Sequence, residues 1–111
     1  MGGRAKLEDV VRVFFERFDR EGRASVSYTL VWEPGRGLER GRAYFRGLTL
    51  ETEPFAFNDL AEAIKKGIEE RCGPLALVRS IGLRGDVYAN ERVELTIEAG
   101  WGLLVIDAVR R

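Results

Sequence analysis

The spacing of apolar residues switches repeatedly along this chain, and each switch marks a change between helix and strand. From Leu7 to Phe18 the apolar residues fall at Leu7, Val10, Val11, Phe14 and Phe18, the spacing of one helical face. Glu8 and Asp9 stand in the first turn, where they favour the helix dipole, and Gly22 supplies a stop. The period then drops to two. In ASVSYTLVW, the residues Ala24, Val26, Tyr28, Leu30 and Trp32 share one face, and Ser25, Ser27 and Thr29 share the other. A second strand follows in RAYFRGLTLE. Its parity slips between Phe45 and Leu48, and Gly47 at the slip predicts a β-bulge.

The helical period returns after Pro54. Asn58 is the expected N-cap of DLAEAIKKGIEERC, in which Leu60, Ile64, Ile68 and Cys72 repeat on one face. Gly73-Pro74 ends it. Strand patterns close the chain. LALVRSIGL places Leu75, Leu77, Ile81 and Leu83 on one face, and RVELTIEA turns Val93, Leu95, Ile97 and Ala99 inward. Gly100-Trp101-Gly102 reads as a tight turn, and LLVIDAV, apolar on both faces, reads as a central strand. RGDVYANE reads as a long loop or a short extra strand. The expected fold is one α+β domain over residues 1–111, in the order αββαβββ. Two helices pack on one face of an antiparallel sheet of about five strands.

Composition narrows the function classes. The 18 basic and 18 acidic side chains cancel, so no global field draws the chain to nucleic acid or to an anionic membrane. Histidine is absent, which removes serine–histidine and cysteine–histidine nucleophile pairs and the usual zinc sites. Neither a phosphate-binding Gly-Lys-Ser/Thr loop nor a dinucleotide fingerprint occurs. The chain has one cysteine, which fits a reduced compartment, and the polar start MGGRAKLEDV predicts neither a leader nor a membrane span. The expected location is the cytoplasm. Glutamine is also missing and arginine is abundant, a composition that suits a thermophilic source.

Carboxylate chemistry is weighed residue by residue. Glu51 and Glu53 share a strand face, but no aspartate beside them completes an ion site. Glu94 and Glu98 lie about 13 Å apart on a strand, too far for one ion. Asp107 sits in the most apolar strand, where exposure or an arginine partner is expected to satisfy it. Cys72, at a helix C-terminus on the apolar face, reads as a core residue. Arg84-Gly85-Asp86 reads as a turn. No catalytic residue, metal ligand or cofactor is expected.

One stretch stands apart. WEPGRGLERGRAYFRG, residues 32–47, carries Arg36, Arg40, Arg42 and Arg46 with Tyr44 and Phe45. It reads as a hairpin whose Arg42, Tyr44 and Arg46 share a face opposite Phe45. Arginine and tyrosine suit a protein interface. The leading expectation is therefore a small non-enzymatic protein-binding or assembly module that self-associates as a homodimer. Its surface comprises Arg36, Arg40, Arg42, Tyr44 and Arg46, with Trp101 as a second exposed aromatic at the opposite turn. The alternative is a nucleic-acid binder that uses the same arginine and aromatic hairpin.

Overall fold

The structure is a computed structural model that describes residues 3–35, 38–82 and 84–111. Helix α1 spans Leu7–Glu21. Asp9 accepts a hydrogen bond from the Lys6 N–H at 2.8 Å and so satisfies a donor at the helix start. At the other end the Gly22 N–H donates to the Phe18 carbonyl at 2.8 Å. Val10, Phe14, Phe15 and Phe18 are buried, as the stripe predicted, with Phe15 filling the flank.

Strand β1 (Arg23–Glu33) begins immediately, then β2 (Leu38–Phe45) and β3 (Leu48–Thr52). The slip at Gly47 is a turn and not the expected bulge. Residues 46–47 form a two-residue connection with Gly47 at φ 78°, and Phe45 pairs directly with Leu48. An even number of turn residues inverts parity, so Ala43 and Phe45 share a face with Leu50 and Leu48.

Helix α2 spans Phe57–Cys72 and buries Leu60, Ile64, Ile68 and Cys72. Its N-cap is Ala56, so the expected cap Asn58 lies inside the helix. Phe57 folds onto Tyr28 edge to face at 5.8 Å, and Phe55 stacks flat on the same ring at 4.3 Å. That aromatic clasp pulls the helix start inward.

Four more strands follow: β4 (Ala76–Ile81), β5 (Gly85–Ala89), β6 (Val93–Gly100) and β7 (Leu103–Arg110). RGDVYANE thus supplies a full strand. The sheet has seven antiparallel strands rather than about five, in the spatial order β3-β2-β1-β7-β6-β5-β4. The two extra strands are those hidden by the Gly47 turn and by the short Gly85–Ala89 run. Both helices lie on one face, α1 against β1 and α2 against β6. Between helices and sheet lie Val26, Tyr28, Ala43, Leu95, Leu104, Ile106 and Ala108, all buried.

The register shifts at Val78, between Leu77 opposite Tyr88 and Arg79 opposite Val87. Ile81 therefore faces away from Leu77, contrary to the expected common face, while Leu83 lies outside the described residues. Asn90 locks the β5–β6 corner to the end of α2. Its Nδ2 lies 3.0, 3.3 and 3.1 Å from the carbonyls of Cys72, Gly73 and Pro74. Its Oδ1 accepts from the N–H groups of Arg92 and Val93 at 2.8 and 3.1 Å.

Candidate interaction surfaces

The alternation of β2 aims Gly41, Ala43 and Phe45 at the helices and leaves Arg40, Arg42 and Tyr44 on the helix-free face of the sheet. Arg42 stands opposite Glu51 in the ladder. Its Nε donates to Glu51 Oε2 at 2.7 Å, and Arg40 Nη1 lies 3.6 Å from Glu51 Oε1. Glu51, followed by the Tyr44 hydroxyl, holds the Arg42 guanidinium above its ordinary pKa. One carboxylate thus serves two arginines, which removes Glu51 from the acidic pair weighed above. Arg46 parts company with the others. It lies beyond β2 in the turn at the far end, where its carbonyl accepts from Arg17 Nη1. Arg36 lies outside the described residues.

Trp101 is reached from another direction. Residues 101–102 make the β6–β7 turn, with φ 54° and 76°, the positive pair of a type I′ hairpin. A tryptophan is strained in that conformation. Its ring does not fold back onto the sheet: it is 94% exposed. Arg84, in the β4–β5 turn, lies 4.9 Å over the ring, and the Arg84 carbonyl accepts from the Ala99 N–H at 2.9 Å. The register puts Leu103 beside Thr29 near the top of β1. The Trp101 turn therefore shares one sheet end with the β1–β2 connection, and is not opposite to it. Trp32 stands at that end too, 58% exposed, because β1 runs on past its pairing with β7. Neither Trp32, expected inward, nor Arg84 was singled out as a surface residue. The usable signal was the repeated glycine in the three connections PGRG, GLRG and GWG.

The remaining candidates resolve simply. Asp107 is half-buried on the helix-free face between Ser25 and Thr96. Cys72 is buried in the core. Asp86 accepts from the Ser80 hydroxyl at 3.2 Å, within the β4–β5 hairpin. Among the described residues no three His, Cys, Asp or Glu side chains form a metal cluster. A shallow groove of about 590 Å³ runs between the helices over Leu7, Val11, Phe15, Ala63 and Gly67. Much of its charged rim is engaged: Arg12 pairs with Asp9 and Glu16, and Arg71 with Asp19.

Comparison with protein-family models, with curated proteins and with solved structures finds no match.

Proposed function

We propose that this chain is a small non-enzymatic protein-binding module that self-associates, with its partner-binding surface at the sheet end that carries Trp101. The observation that carries this reading is the Trp101 ring, 94% exposed on a strained turn with Arg84 over its face. A large apolar ring held in water at a backbone cost is a feature of binding sites, and tryptophan and arginine dominate interface hot spots. The pairing of Arg40 and Arg42 with Glu51 lowers the positive charge left for phosphates, which favours protein over nucleic acid as the partner.

The reading extends to setting. No helix among the described residues is long and apolar enough to cross a membrane, and a reduced cytoplasmic location accords with the buried lone thiol. The Arg71–Asp19 bridge between the helices suits a thermophilic source.

The test is capture of partners from lysate of the native source by the tagged chain and by Trp101→Ala, each with and without nuclease. Proteins that survive nuclease and vanish with Trp101→Ala are the expected result. A catch removed by nuclease makes the chain a nucleic-acid binder instead. A nuclease-resistant catch indifferent to Trp101→Ala moves the surface elsewhere.

A further inference from the structure

We infer that a basic notch at the sheet end opposite the Trp101 turn binds the phosphoryl group of a small molecule. It lies away from the protein-binding surface proposed above.

Ladder geometry makes the notch. The Arg110 N–H donates to the Gly22 carbonyl at 2.7 Å. Bonded pairs alternate along an antiparallel ladder, so Ala24 and Val26 exchange bonds with β7, while Arg23 and Ser25 turn their N–H and C=O groups the other way. On that side β2 pairs with β1 only from Ser27 onward. The backbone groups of Arg23 and Ser25 therefore meet no strand. They open onto a space of about 390 Å³, a size that suits a small-molecule site.

Arg17 and Arg20 line that space from α1, Arg23 from β1 and Arg46 from the β2–β3 turn, and Glu21 is the acidic residue among them. Four arginines against one glutamate leave three positive charges in excess. Arg20 Nη2 lies 3.3 Å from Glu21 Oε2, and among the described residues no carboxylate pairs with Arg17, Arg23 or Arg46. The flanking charges offset each other: Arg110 packs beside Gly22, and Asp107 stands across the ladder from Ser25. Asp19 is taken up by Arg71.

Arg17 is held in place by its surroundings. Its guanidinium lies 5.6 Å over the Phe45 ring, and its Nη1 donates to the Arg46 carbonyl, which also fixes the turn that carries Arg46. A guanidinium has five N–H donors in a rigid fork, so four of those on Arg17 remain for a ligand. Such forks match the oxygens of a phosphoryl group, and the Ser25 N–H adds a backbone donor aimed at the same space. A nucleic-acid backbone needs a basic track that continues past one recess. Here the next arginines along the sheet, Arg40 and Arg42, are held by Glu51.

The test is titration of the full chain, labelled with nitrogen-15, at constant ionic strength. The probes are inorganic phosphate, inorganic pyrophosphate and glycerol 3-phosphate. The expected result is a saturable shift of the Ser25 amide and of the Arg23 and Arg46 Nε–H signals. Arg23→Ala and Arg46→Ala, both at exposed positions, should each weaken binding about tenfold. If one of them does not fold, the other decides. Arg79→Ala, on the distant β4 edge, should change nothing. Tighter binding of glycerol 3-phosphate than of phosphate upholds the site and assigns it to an ester; equal binding upholds it and assigns free phosphate. Shifts that rise linearly without saturating overturn the inference, as does an equal loss with Arg79→Ala. A single-stranded oligonucleotide that binds more tightly than pyrophosphate and also shifts Arg40 and Arg42 overturns the small-molecule assignment in favour of nucleic acid.

Discussion

Replacing Gly67 by alanine tests how closely the two helices meet. In an exposed helix the change stabilises by about 1 kcal/mol, because glycine is a poor helix former. Here a methyl group would overlap Cε2 and Cζ of Phe15. That ring is flanked by three side chains and can retreat only toward the groove between the helices. Arg71 lies 4.0 Å over it, Phe14 meets its edge at 5.2 Å, and Phe18 stands at 6.2 Å. Overpacking of this kind costs about 1–3 kcal/mol, and loss of the stacked guanidinium adds about 0.5–1 kcal/mol. The net expectation is a loss of about 1–2 kcal/mol, or roughly 4–8 °C in melting temperature. The assay is thermal unfolding followed by circular dichroism, with Phe15→Leu and the double variant completing a cycle. The smaller side chain should absorb the new methyl, so the double variant should recover about 1 kcal/mol relative to additivity. A Gly67→Ala protein as stable as the wild type, or more so, would refute the close contact.

Asn90→Ala should cost about 2–3 kcal/mol in denaturant unfolding, since it strands the carbonyls that end α2 and frees the β5–β6 corner. Tyr28→Phe leaves the Phe55 N–H without its 3.2 Å acceptor and should lower stability by about 1–2 kcal/mol in the same assay. Hydrogen bonding to Arg71 holds the Asp19 carboxyl below its ordinary range. A carboxyl depressed in the folded state contributes its stability above the unfolded value and loses it as pH falls through the folded value. Melting temperature should therefore drop on acidification through the range below ordinary aspartate titration, and Asp19→Asn should drop less.

The helices were legible because each carries a long stripe of large apolar residues and a glycine stop. The central strands were legible because β1 and β6 alternate cleanly and β7 is apolar on both sides. Gly47 was ambiguous because a bulge and a two-residue turn both invert parity, and only pairing with a neighbour tells them apart. The bulge at Val78 left no mark, since Ile81 suits either face of a strand. Among the described residues the Asn90 side chain makes five hydrogen bonds from a loop, yet its partners lie up to 18 residues away in sequence. The surface was legible only in part. The alternation of Arg42 and Tyr44 held, whereas the placement of Trp101 beside the β1–β2 connection depends on β1 pairing with β7.

That same pairing ties the early part of the chain to its end. Arg23 meets Val109 and Thr29 meets Leu103, whereas every other ladder joins strands consecutive in sequence. The three-strand and four-strand meanders can each form from local turns, but the seam between them closes a loop that encloses most of the chain. The entropy of that closure has to be met before the central ladder returns any stability. Refolding should therefore run at the pace of this one seam, on the order of milliseconds to seconds for a fold dominated by such distant contacts.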